Sequence, residues 1–154
     1  MEYDNLLKAA ERCGLFVYET KFKSRAKGLT KGNIIGIADH LPLAEKSCIL
    51  AEELGHYHTS TGNILDQSDI RNHKQELRAR QWAYQKLIPL ERIVDAHHAR
   101  VKGRYDIAGY LGVTEEFLQS CIDRYTEKYG LYAPVGDRYI IYFDPLGVIE
   151  IFPS

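Results

Sequence analysis

Apolar positions recur every three or four residues over most of the chain, so helices dominate. Tyr3, Leu6, Leu7 and Ala10 mark a helix over 3–13, with Gly14 as its stop. Leu50, Ala51 and Leu54 give one face to a helix that starts at Leu41-Pro42 and runs to about His58. A long helix over 70–88 buries Leu77, Ala79, Ala83, Tyr84 and Leu87, with Trp82, and is closed by Pro89. Further helices are expected over 91–101, 105–111 and 114–129, punctuated by Gly103, Gly112 and Gly130, with Thr114 as an N-cap. Period-two patterning is confined to short stretches. Residues 15–18 and 33–39 read as strands, and 139–143 and 148–152 as a hairpin around Asp144-Pro145-Leu146-Gly147. The basic stretch 21–31 reads as a solvated loop or edge hairpin. Residues 59–68 read as a loop, with Ile64-Leu65 tucked into the core. The sum is an α+β chain, mostly helical, with a small N-terminal sheet and a C-terminal helical segment ending in a hairpin. Residues 1–102 are expected to form the core domain, with 103–154 packed on it.

Composition narrows the function classes. The 154 residues carry a formal net charge of −1, which gives no global electrostatic case for nucleic acid or an anionic membrane. The cysteines Cys13, Cys48 and Cys121 are scattered, without Cys-x-x-Cys, as in a reduced cytoplasmic protein. The polar start Met1-Glu2-Tyr3-Asp4-Asn5 is no signal peptide, and no apolar run is long enough to span a bilayer.

The candidate chemistry lies in Glu52-Glu53-Leu54-Gly55-His56. Glu52 and His56 are four apart and project from one side of a helix, one turn apart. Glu53 sits about 100° further round, close enough to lean over whatever the pair holds. This is the layout of the zinc-peptidase helix His-Glu-x-x-His with Glu52 in the first His position. There two side chains grip a metal, and the intervening Glu takes a proton from metal-bound water. The plain alternative is an amphipathic helix with a solvated acidic face. Catalytic zinc usually takes three protein ligands, and Glu76, opening the next helix, is the best candidate for the third.

At this point the chain resembles the ImmA/IrrE family of metallo-endopeptidases. Their pattern is His-Glu-Leu-Gly-His, a loop, then Glu-x-x-Ala-Asn-x-Phe-Ala-x-x-Leu-Leu-x-Pro. Here Glu52 to His56 matches the first motif. Glu76, Ala79, Ala83, Leu87 and Pro89 fall in step with the second, and Trp82 stands at the aromatic position. Arg80 replaces the Asn and Lys86 the first Leu. The resemblance covers roughly the first ninety residues and rests on two motifs in order. It implies a zincin-like core with the metal between two site helices. It also implies cleavage of a phage or mobile-element repressor, or of a related transcription factor of the helix-turn-helix kind.

Glu52 in place of His changes the chemistry. Two carboxylates and one His nearly cancel the charge of Zn2+, which weakens it as a Lewis acid, and harder ligands shift preference toward Mn2+ or Fe2+. Three arrangements stay open. Glu52 joins His56 and Glu76 as a ligand; His58 substitutes for it; or no metal binds. The His58 arrangement needs a break in the helix, because His56 and His58 otherwise point about 200° apart. Glu53 is the general base in the first arrangement. A non-catalytic domain that binds a regulator is the competing function.

Other candidates read more plainly. His73, His97 and His98 are expected at the surface, His40 in a turn, and Tyr57 in packing. Residues 107–118 outline a helix-turn-helix, but 104–130 sets Arg104, Arg124 and Lys128 against Asp106, Glu115, Glu116, Asp123 and Glu127. This local excess of acid argues against DNA contact. Strand 33–39 is expected to be an edge strand beside the site, open to an extended substrate.

Overall fold

The structure, a computed structural model, describes residues 2–60 and 73–151. The fold is α+β and divides into two compact units, Met1–Ala83 and Tyr84–Ser154.

The first unit opens with α1 (Glu2–Arg12), whose Tyr3, Leu6 and Ala10 are buried. Then come β1 (Phe16–Thr20), β2 (Gly28–Lys31), β3 (Ile34–Ala38) and α2 (Leu43–Thr59). The helix α3 (His73–Leu87) carries the chain out of this unit. The three strands form one sheet in the order β1-β3-β2. β1 runs parallel to β3, with Phe16 opposite Ile34, and β2 runs antiparallel to it, with Thr30 opposite Ile35. Strand alternation sends Ile35 and Ile37 inward, and both are fully buried. Each such side chain contributes about 1.5–3 kcal/mol. Glu19 on β1 ties the elements together. It accepts from the Tyr3 hydroxyl of α1 at 3.1 Å and from the Lys46 ammonium of α2 at 2.5 Å.

Two sequence expectations change here. β3 is the central strand, not an edge, because both its sides are paired. The edges are β1 and β2, and β2 is drawn from the basic stretch whose lysines and glycines suggested a loop or edge hairpin. A four-residue strand ending in Lys31 leaves little periodic signal, and lysine is what an edge strand tolerates. On α3, Ala79, Ala83, Tyr84 and Leu87 are buried as expected, but Leu77 is largely exposed. The expected positions of Ile64 and Leu65 and the start of the helix at Ile70 lie outside the described residues.

The second unit takes up the end of α3 and continues through α4 (Leu90–His98), α5 (Arg104–Leu111) and α6 (Glu115–Tyr129). Gly112 closes α5 in the left-handed conformation, where glycine is free of Cβ strain. Thr114 caps α6 by accepting from the Phe117 amide at 3.0 Å. A second sheet follows, β4 (Tyr132–Val135), β5 (Tyr139–Phe143) and β6 (Leu146–Glu150), all antiparallel. The hairpin is there, with Phe143 paired to Leu146 across Asp144-Pro145. β4 adds a strand that its Pro134 had masked. Tyr125 is buried and donates to the Ile88 carbonyl at 2.6 Å. Burial pushes its phenol up, and the neighbouring Cys121 thiol adds to this. Among the described residues, no helix is long and apolar enough to cross a membrane.

Candidate metallopeptidase site

The site is built from α2, the first turns of α3 and β2, all within the first unit. α2 stays helical from Leu43 through Thr59, so Glu52 and His56 do lie one turn apart on one side. The next requirement is that α3 come close, and Gly55 supplies it. A Cβ on Gly55 would collide with the Ala79 backbone, lying 3.0 Å from its Cα and 2.9 Å from its carbonyl carbon. Gly55 and Ala79 are both buried, and their lack of bulk lets the helix backbones touch. One residue beyond Gly55, His56 Nε2 lies 3.5 Å from Glu76 Oε1. His56 is 8 % exposed, and the Glu76 side chain is 33 % exposed.

That separation suits a shared metal ion. Two donors about 2.0–2.1 Å from zinc at the tetrahedral angle lie about 3.3–3.4 Å apart. A buried imidazole paired with a carboxylate is also the donor chemistry zinc takes. Glu52 is half-buried. Burial pushes its carboxyl above the usual range, the Arg80 charge opposes this, and Glu53 and Glu76 reinforce it. Glu52 thus shares a field with the other carboxylates and with Arg80. Among the described residues, no three or more of His, Cys, Asp and Glu are gathered closely enough to hold a metal ion. The structure brings His56 and Glu76 together.

Glu53, next to Glu52 on α2, meets β2. It is 6 % exposed, and its carboxylate accepts a hydrogen bond from the Thr30 hydroxyl. Gly28, also on β2, lies so close that a Cβ there would sit 3.3 Å from Glu53 Oε1 and 2.5 Å from Ile49 Cγ2. The edge strand therefore rests directly on the Glu53 side of α2. Thr30 and Gly28 are functional neighbours that sequence reading passed over. The signal was a Gly-x-Thr step in a basic stretch, and nothing in it pointed at Glu53.

The break that His58 needs in order to join the ligands does not occur, since α2 continues to Thr59. His58 instead stacks on Trp82, with centroids 4.7 Å apart and planes 16° apart, and its Nε2 lies 3.8 Å from Cys13 Sγ. His40, His73, His97 and His98 are all exposed, and His98 shares a 2.9 Å hydrogen bond with the Tyr139 hydroxyl. Tyr57 is partly exposed and meets the His58 ring edge-on.

The family model of the IrrE N-terminal-like domain, Peptidase_M78, matches residues 10–122. The chain belongs to this family. The match takes in α2, α3 and the sheet that flanks them, so the helices carrying His56 and Glu76 belong to a metallopeptidase-type domain. No curated protein and no solved structure matches the chain.

Proposed function

We propose that the protein is a metal-dependent endopeptidase that cleaves a phage or mobile-element repressor, or a related helix-turn-helix transcription factor. The observation that carries this reading is the His56–Glu76 pair, 3.5 Å apart across two helices, with a buried carboxylate one turn away at Glu53. Family membership supports the peptidase class.

His56 and Glu76 would hold the metal, Zn2+ or with these harder donors Mn2+ or Fe2+, and Glu52 would complete the set. When bound, the ion supplies Lewis acidity toward the scissile carbonyl and the attacking water. Glu53 is the general base. It takes the proton of the attacking water and returns it to the leaving amine. Thr30 fixes one oxygen of that carboxylate and so directs the other. β2 is an edge strand with one side unpaired within its sheet, so an extended substrate segment adds there by main-chain hydrogen bonds. α5 and α6 do not read DNA in this proposal. Arg104 is held by Glu115 at 3.1 Å, and Arg124 by Glu127 at 3.5 Å, which leaves their charge committed to acids.

Glu53→Gln tests the assignment. It keeps the shape and removes the basicity, so metal binding is retained. Cleavage of a helix-turn-helix repressor falls by roughly two to four orders of magnitude. A Glu53→Gln protein that cleaves at the wild-type rate refutes the role.

A second reading is a non-catalytic domain that binds the regulator. Metal analysis of protein purified without added zinc, with Glu76→Ala as control, separates the two. Stoichiometric metal that disappears in the control supports the peptidase.

A further inference from the structure

The two faces of the first sheet are unlike. Ile35 and Ile37 lie on the inner face of β3, where both are fully buried. Strand alternation therefore turns Ile34 and Gly36 to the outer face. Register carries their neighbours with them. Phe16 on β1 and Lys31 on β2 flank Ile34, and Tyr18 and Leu29 flank Gly36. Phe16, Tyr18, Leu29 and Ile34 are between 46 % and 57 % exposed. Gly36 leaves no gap among them. A Cβ there would lie 3.0 Å from Phe22 Cζ, so the Phe22 ring lies over the glycine. A large aromatic side chain presents about 150–250 Å2. The four half-exposed side chains together leave roughly 400 Å2 open on one face, the size at which an exposed patch on a monomer marks an interaction site.

The border of this face is cationic. Lys21, Lys23 and Arg25 are exposed on the loop that joins β1 to β2 and supplies Phe22, and Lys31 is exposed at the far end of β2. The loop is anchored, because the Ala38 amide donates to the Lys27 carbonyl at 2.8 Å and the Asp39 amide to the Thr20 carbonyl at 3.0 Å. Lys27 is committed to Glu45 of α2 at 2.9 Å. Among the described residues, Lys21, Lys23, Arg25 and Lys31 form no ion pair. An apolar centre with an uncommitted cationic rim calls for its complement, apolar side chains edged by carboxylates. We propose that the outer face of the β1-β3-β2 sheet is a docking surface for an acidic amphipathic helix of a partner protein. Strands about 4.8 Å apart put β1 and β2 roughly 10 Å from each other. That is about two helical turns, so apolar side chains at i, i+3, i+4 and i+7 span the face. A second copy of the chain fits poorly. A standard interface buries about 800 Å2 on each partner, twice this patch, and a two-fold contact would set the cations against themselves. Nucleic acid fits poorly as well, because Leu29 and Ile34 offer no ring for a base to stack on. The docking depends on neither metal nor cleavage.

The test measures fluorescence anisotropy with the full, metal-free chain and two designed helical peptides. Both carry Leu at i, i+3, i+4 and i+7; one has Glu on the flanks and the other Lys. The Glu peptide is expected to bind at least about ten-fold tighter than the Lys peptide, and the difference shrinks as salt is raised. Leu29→Ser weakens the Glu peptide by about three- to thirty-fold and Lys31→Glu by about two- to ten-fold. Both side chains are exposed, so the urea midpoints stay at the wild-type value and a loss of affinity reads as lost docking. Tyr105→Ser, at an exposed tyrosine of the second unit, leaves the affinity unchanged. Equal affinity for the two peptides, or none for either, overturns the proposal. An oligothymidylate or phosphatidylserine vesicles that bind more tightly than the Glu peptide, and are lost in Leu29→Ser or Lys31→Glu, also overturn it and reassign the face to nucleic acid or to a membrane. A concentration-dependent dimer that Leu29→Ser abolishes overturns it in favour of a second copy.

Discussion

Gly55→Ala is the sharpest perturbation the structure offers, because one methyl group bears on both stability and the site. The new Cβ would lie 2.9 Å from the Ala79 carbonyl carbon and 3.0 Å from its Cα. Carbon atoms settle at about 3.5–4.0 Å, so the helices must part by about 0.5–1 Å. Overpacking against backbone, which cannot rotate aside, costs about 3 kcal/mol, the upper end of the usual range. Replacing Gly by Ala within a helix returns about 1 kcal/mol. The expected net loss is therefore about 2 kcal/mol, read by urea unfolding. The same parting stretches the His56–Glu76 separation from 3.5 Å. Two zinc bonds of about 2.1 Å span at most about 4.2 Å even when collinear, so a shift near 1 Å takes the pair out of bridging range. Zinc affinity should fall at least about ten-fold in calorimetric titration. Gly109→Ala is the control. Gly109 also lies inside a helix, but a Cβ there meets nothing within 4 Å, so that change should be neutral or stabilising by up to about 1 kcal/mol. A Gly55→Ala protein as stable as wild type with undiminished zinc affinity would refute the close-approach argument.

Thr30→Val keeps the shape of a buried side chain and removes the hydroxyl that donates to Glu53. Losing a hydrogen bond to a charged group should cost about 1.5–3 kcal/mol in urea unfolding, and an unchanged midpoint would show the bond to be unimportant. The Glu19 carboxyl is held below its ordinary value of 4.5, chiefly by the Lys46 ammonium that donates to it and further by the Tyr3 hydroxyl. A carboxyl depressed in the folded state stabilises fully above about pH 4.5 and loses that contribution as pH falls through the lower folded value. Glu19→Gln should therefore flatten the acid limb of the stability-against-pH curve below about pH 4.5 and destabilise the protein at neutral pH. An acid limb identical to wild type would contradict this.

The site motifs are legible in the sequence because they are local. Glu52 and His56 share a helix face by spacing alone. The burial of α1 and of Ala79, Ala83 and Leu87 follows from periodicity for the same reason. What periodicity cannot carry is which strand neighbours which. β3 reads as an apolar strand whether it lies at the centre or the edge, and only pairing with both β1 and β2 decides it. The short basic strand β2 is legible only as a loop or edge hairpin, because it is held by its partner and by α2 more than by its own propensity. Its position over Glu53, through Thr30 and Gly28, is a contact between residues more than twenty apart in the chain. Sequence named Gly55 as part of a motif. The tertiary structure showed why glycine is there: the Ala79 backbone fills the space where a Cβ would sit, and that close approach puts His56 within bridging distance of Glu76.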